Sequence, residues 1–135
     1  DKGSRDGISK GLPVVTSQKV LLGRIGEVYD NFSQVILITN KETSFEAEVF
    51  EKDIHGVAKG KGGLKLYLDF IPKDKEISQG DVVITTALGG VFPSNLLVGS
   101  IKEIKKSDVE SFQTAEINPS FDIKSLDNLF IITSF

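Results

Sequence analysis

Alternation of apolar and polar residues with a period of two runs through much of this chain and predicts β-strands. Two segments show it without interruption, Ser44–Glu51 and Leu64–Phe70. In the first of them, Phe45, Ala47 and Val49 fall on one face, which is the face expected to join a core.

Other short segments of this kind follow each other closely, and together they predict about ten strands. The run Gln34–Thr39 is apolar on both faces, so it is expected to form a central strand. Only residues 122–126 are compatible with a helix, of about one turn. The pattern therefore predicts an all-β protein, a barrel or a sandwich, with very little helix.

The two halves of the chain resemble each other. Ile8–Thr16 matches Ile77–Thr85, and Leu21–Val28 matches Leu97–Ile104. Such self-similarity predicts the same hairpin twice, in two small β lobes related by an internal repeat. A polar, proline-containing segment at 71–76 is the expected seam, which gives lobes at 1–72 and 73–135, with strand exchange between the lobes allowed.

A loop between the two segments of the second hairpin carries the strongest turn signals. It contains Gly89, Gly90, Val91, Phe92 and Pro93, so the chain has to turn sharply there. We expect the loop to be structural first, with Phe92 folded inward as the cap of a barrel. The alternative leaves Val91 and Phe92 partly exposed for a partner.

Composition argues against several functional classes. The chain has 135 residues, a net charge of -3 and no cysteine, and its sequence pI is about 5.2. An acidic chain is a poor partner for nucleic-acid phosphates. The lack of cysteine excludes disulfides, thiol nucleophiles and thiolate metal sites.

His55 is the only histidine, so any hydrolytic triad would have to use it. It lies in a polar turn, and no nucleophile motif surrounds any serine. One histidine without cysteine is also too few ligands for a typical zinc site. We therefore expect no catalytic residue, no cofactor and no metal site.

Several motifs are specific enough to identify a family. They are Asp1–Ile8, Gly11–Val15, Val20–Val28 and Thr85–Gly99. With these motifs the chain resembles the extracytoplasmic domain of the bacterial rod-shape-determining MreC family. That family more often has serine, glycine, glycine and proline where this chain has Thr86, Ala87, Asn95 and Leu97.

The resemblance implies two small β-barrel lobes, arranged as in trypsin-like proteases but without a triad. It implies a non-enzymatic scaffold of the cell-wall elongation machinery, which maintains bacterial cell shape from the outer face of the cytoplasmic membrane. A coiled coil and an N-terminal membrane helix are expected outside this sequence. The implied partners are other copies of the chain in a dimer or filament, penicillin-binding transpeptidases and other shape-determining membrane proteins.

Two alternatives stay open at this point. A peptidoglycan- or carbohydrate-binding module would be expected to expose aromatic residues, but the chain has no tryptophan and only two tyrosines. A cryptic trypsin-like hydrolase would depend on His55.

The alternating strands Ser44–Glu51 and Leu64–Phe70 also predict weak self-association, because a free strand edge can pair with another chain. Lysines at Lys59, Lys61 and Lys65 would oppose such pairing.

Overall fold

The computed structural model describes residues 2–126 and 128–134. Two short 3₁₀ helices, Ser4–Asp6 and Ile123–Ser125, accompany the strands. The strands are β1 (Pro13–Thr16), β2 (Leu21–Val28), β3 (Ser33–Leu37), β4 (Ser44–Val49), β5 (Ile54–Gly62), β6 (Lys65–Pro72), β7 (Val82–Thr85), β8 (Leu97–Lys106), β9 (Phe112–Pro119) and β10 (Leu129–Ile131). The prediction of an all-β chain with very little helix is confirmed. No helix among the described residues is long and apolar enough to span a membrane.

Six strands form a closed antiparallel barrel in the order β4-β5-β6-β9-β8-β7. The alternation in β4 has the predicted effect, since Phe45, Ala47 and Val49 are buried inside it. Leu66 and Leu68 of β6 are buried in the same core. The barrel is thus closed by hydrogen bonds around a continuous apolar interior.

The other four strands form a sheet in the order β10-β1-β2-β3. The last strand, β10, returns to the start of the chain and pairs with β1. A parallel bridge between Val20 and Leu97 joins this sheet to the barrel. The Leu97 amide donates to the Lys19 carbonyl across the same junction (3.1 Å).

The internal repeat is present in the hydrogen bonds. The amide of Gly11 donates to the carbonyl of Ile25, and the amide of Gly80 donates to that of Ile101, both over 2.8 Å. The amides of Ile25 and Ile101 in turn donate to Leu12 and to Asp81, respectively, again over 2.8 Å. The hairpins β1-β2 and β7-β8 are therefore two copies of one structure.

The strand register is also the same in the two hairpins. Val14 lies opposite Gly23 in the first hairpin, and Val83 lies opposite Gly99 in the second, with an irregularity directly after each pair. A Cβ at either glycine would overlap a carbonyl oxygen of the next strand, that of Ile36 or that of Asn118. Both copies need glycine because the neighbouring backbone occupies the side-chain position.

The sheets do not follow the predicted division at residue 72. That boundary falls between β6 and β7, and both strands belong to the closed barrel. The physical reason is long-range pairing: β6 pairs with β9, and β4 pairs with β7. Across the same boundary, β10 from the end of the chain pairs with β1 from its start.

Two predictions about strand edges are wrong. β3, which covers most of the run expected to be central, lies at the edge of the four-stranded sheet. β4 and β6, expected to offer a free edge, are each paired on both sides within the barrel. Among the described strands, only β3 and β10 keep an unpaired edge.

Candidate partner-binding loop

Residues 86–96 form the loop between β7 and β8, and Thr85 fixes both of its ends. The buried Thr85 hydroxyl donates to the carbonyl of Pro93 (2.6 Å) and accepts from the amide of Leu96 (2.9 Å). The amide of Asn95 donates to the Thr85 carbonyl (3.0 Å). Asn95 has a φ of 68°, which asparagine tolerates better than most residues.

Phe92 is the anchor of this loop. Its side chain is 2% exposed, and its ring meets the ring of Phe45 edge-on, with centroids 5.1 Å apart. Edge-to-face packing is a favourable arrangement for two aromatic rings in a core. The structure thus places Phe92 inward, as the structural interpretation expected.

The tip of the loop presents apolar side chains to solvent. Gly89 (φ 80°) and Gly90 (φ 71°) supply left-handed backbone for the turn, and the Gly90 amide donates to the Ala87 carbonyl (3.2 Å). Leu88 is 58% exposed and Val91 is 39% exposed. The loop therefore combines a buried anchor with an exposed apolar tip.

A groove of about 570 Å³ runs beside the loop. Pro93 and Leu96 line it from the barrel side, and Val15, Phe130 and Ile132 line it from the four-stranded sheet. No pattern in the sequence indicates that Phe130 and Ile132 face this loop. Only the return of β10 to β1 brings them there.

Departures from the family pattern are accommodated locally. The Thr86 hydroxyl accepts from the Leu88 amide (2.9 Å), which shapes the turn before the glycines. Leu97, in the place of a proline, begins β8 and uses its amide in the bond to Lys19. A proline there has no amide hydrogen to donate.

The start of β7 is held by an ionic contact. The Asp81 carboxylate accepts from Lys52 Nζ and from the Ser78 amide, each over 2.8 Å. Burial by itself raises the pKa of Asp81, but these hydrogen bonds and the Lys52 charge outweigh it and leave the pKa below its ordinary value of 3.8. This contact stabilises the turn that leads into the strand carrying Thr85.

His55 is the centre of the one cluster of potential metal ligands found among the described residues. Its Nε2 lies 3.0 Å from Asp53 Oδ1 and 3.7 Å from Glu48 Oε2. Its Nδ1 is buried without a hydrogen-bond partner in the described part of the chain. A metal on Nε2 would leave a hydrogen on Nδ1, where metal-binding histidines normally have an acceptor, so the geometry does not favour a metal.

The same geometry does not form a hydrolytic triad. In such a triad a serine hydroxyl bonds one ring nitrogen and a carboxylate orients the other. Here both carboxylates face Nε2, and no hydrogen bond of the described residues joins a serine to His55.

Comparison with known proteins identifies the fold and the family. The family model "Rod shape-determining protein MreC, barrel core" matches residues 1–133. The cell shape-determining protein MreC of Escherichia coli (strain K12) is 30% identical over 133 residues, covering 98% of this chain and 36% of the relative. The chain thus spans little more than a third of that relative's length.

Solved structures of MreC proteins have the same fold as this chain. The crystal structure of MreC from Pseudomonas aeruginosa has a TM-score of 0.92 at 26% identity, covering 98% of this chain and 85% of that one. The complex between penicillin-binding protein PBP2 and MreC from Helicobacter pylori gives a TM-score of 0.72 at 22% identity, covering 88% and 74%, a likeness of fold. With the family model matching nearly its whole length, the chain belongs to the MreC family of rod shape-determining proteins.

Proposed function

We propose that this chain is the β-rich part of a non-enzymatic scaffold of the cell-wall elongation machinery. Its family membership supports the role in cell shape. The same proposal places it on the outer face of the cytoplasmic membrane, anchored by an N-terminal helix outside this sequence. The contacts of His55 are not those of a hydrolytic triad, which agrees with a non-enzymatic role.

The partner surface in this proposal is the tip of the loop 86–96, and the partner is a penicillin-binding transpeptidase. The observation that carries it is the pair of exposed apolar side chains, Leu88 and Val91, on a loop held by Phe92 and Thr85. A preorganised apolar contact loses little conformational entropy on binding. The PBP2 complex of the Helicobacter pylori relative supports this class of partner.

The experiment compares the Leu88→Asp and Val91→Asp variants with the parent chain in binding to the extracytoplasmic domain of a penicillin-binding transpeptidase from the same organism. A charge in the centre of an apolar contact should lower affinity by about tenfold or more. Both variants should melt at the parent's temperature, because their side chains face solvent.

Val109→Asp is the matched control, since Val109 is an apolar residue that is 89% exposed between β8 and β9. It should bind as the parent does. If both loop variants bind as the parent does, the loop tip is not the contact. If the parent chain binds no such transpeptidase, this class of partner is excluded.

Self-association into a dimer or filament, and contact with other shape-determining membrane proteins, belong to the same proposal. The free edges of β3 and β10 are the parts of the described chain that allow strand pairing between copies. Sedimentation over a wide concentration range tests it. A single monomeric species at every concentration would assign self-association to segments outside this sequence.

Exposed aromatic pairs give the carbohydrate-binding alternative its support. Tyr29 stacks on Phe32 with ring centroids 4.5 Å apart, and both rings are exposed. Co-sedimentation with purified peptidoglycan tests it directly. If the parent binds peptidoglycan and Tyr29→Ala does not, the result favours this alternative. If the parent does not bind peptidoglycan, this alternative is excluded.

A further inference from the structure

The four-stranded sheet repeats the barrel more completely than the hairpins alone indicate. β10 pairs with β1 in the register in which β4 pairs with β7. The matched pairs are Val14–Ile131 with Val83–Val49, Val15–Phe130 with Ile84–Glu48, and Thr16–Leu129 with Thr85–Ala47. The next hydrogen bond matches too, from Ile132 to Pro13 in the sheet (3.0 Å) and from Phe50 to Val82 in the barrel (2.8 Å).

β3 corresponds in the same way to β9. Ile25 lies opposite Val35 in the sheet, and Ile101 lies opposite Ile117 in the barrel. The sheet β10-β1-β2-β3 is therefore equivalent to the barrel strands β4-β7-β8-β9. What the barrel has in addition is the hairpin β5-β6, which closes it between β4 and β9.

No described strand takes the place of that hairpin in the sheet, so both flanking edges are open. The amide of Ile38 donates to Leu22 on the β2 side. Since amides of an antiparallel strand point alternately to its two sides, those of Val35 and Leu37 point to the free edge of β3. By the same alternation from Ile132, the amide of Ile131 points to the free edge of β10.

A cavity of about 410 Å³ opens between these two edges. Most of its lining residues are apolar, and they include Ile8, Val14 and Ile25, all of which are buried. The polar part of the lining consists of Lys2, Asp6, Ser33 and Thr133. Val35 and Ile131, which lie next to the open edges, are only half-buried. Their barrel counterparts, Ile117 and Val49, are buried because β5 and β6 cover that side of the barrel.

We propose that this cleft is a strand-acceptor site that binds a β-hairpin of another protein. The hairpin fills the position equivalent to β5-β6, with backbone hydrogen bonds to β3 and β10 and alternate apolar side chains in the cavity. Addition of strands to an open sheet edge is an established mode of peptide recognition. The barrel of this same chain supplies the template for the bound state.

The structure favours a hairpin of a different protein over a second copy of this chain. Apart from β3 and β10, every described strand is already paired on both sides. A second copy can therefore offer only its own β3 and β10, which are separated by β1 and β2, whereas the equivalent position in the barrel holds two adjacent strands, β5 and β6. This site is separate from the loop tip and does not depend on the function proposed for it.

The probe is a synthetic peptide of residues 54–72, the β5-β6 hairpin, added to the isotope-labelled chain. We expect saturable binding that slows hydrogen exchange at the amides of Val35, Leu37 and Ile131. A peptide carrying Leu66→Asp and Leu68→Asp should bind at least about tenfold more weakly, because both side chains point inward in the barrel.

In the protein, Val35→Asp should weaken peptide binding to a similar extent. Gln34→Asp, on the exposed neighbouring position, is its control and should leave binding unchanged. Leu88→Asp should also leave it unchanged, which separates this site from the loop. If Val35→Asp unfolds the chain, the substituted peptide still decides the question.

The proposal would be overturned if the peptide showed no saturable binding up to about 1 mM, if the substituted peptide bound equally well, or if the protected amides lay elsewhere. Protection of the same three amides by self-association of the chain without peptide would identify a second copy as the occupant, against the proposal.

Discussion

Replacing Phe92 by alanine tests whether the loop is held from inside. The side chain is 2% exposed and packs edge-on against Phe45, so its removal leaves a cavity of nearly the whole ring. Such truncations cost about 3 to 5 kcal/mol, a large share of the roughly 5 to 15 kcal/mol of a typical domain. For a chain of this length, we expect the melting temperature to fall by about 10 °C or more.

The assay is urea unfolding of the parent, Phe92→Ala and Phe92→Leu. Phe92→Leu keeps most of the apolar volume and should lose less than half as much stability. Val91→Ala, one residue away but 39% exposed, should change stability by less than about 1 kcal/mol. A Phe92→Ala midpoint equal to that of the parent would refute the anchor role of this ring.

Three further predictions follow from other contacts. We expect Gly23→Ala and Gly99→Ala each to lower the free energy of unfolding by about 2 kcal/mol or more, because each new methyl group overlaps a neighbouring carbonyl. The two losses should be similar. Unequal losses in urea unfolding would contradict the structural equivalence of the two glycines. Thr85→Val removes two hydrogen bonds inside the barrel and should lower the free energy of unfolding by about 1 to 3 kcal/mol in the same assay. An unchanged stability would show that the Thr85 hydroxyl does not hold the ends of the loop. Asp81 has a lowered pKa in the folded chain, so its ionised form stabilises folding above its unfolded pKa, and this contribution disappears as the pH falls through the folded pKa. Asp81→Asn should therefore be less stable than the parent at pH 7, and the difference in stability should narrow as the pH falls below the unfolded pKa; a difference that does not narrow in acid would contradict the linkage.

Sequence patterns predicted most of the strands, because the alternation of apolar and polar residues in a strand is a local property. The alternation of β4 placed Phe45, Ala47 and Val49 correctly, and the structure buries all three. The repeated hairpin was also visible, since each copy needs the same glycine where the next backbone comes close. The turn signals placed Phe92 in a tight loop, whereas its burial was one of two alternatives between which the structure decides.

Tertiary structure alone decided which strands pair. The run in β3 is apolar on both faces, yet β3 is an edge strand, because burial of side chains and pairing of backbone edges are separate properties. The boundary expected at residue 72 does not separate the two sheets, because hydrogen bonds between β6 and β9 connect residues about 45 positions apart. No local pattern encodes a partner at that distance. The groove beside Pro93 and the cleft between β3 and β10 both depend on where β10 returns. The sequence by itself determined the strands and the repeat, whereas the open edges and the surfaces beside them exist only once the chain has closed one barrel and left the other sheet incomplete.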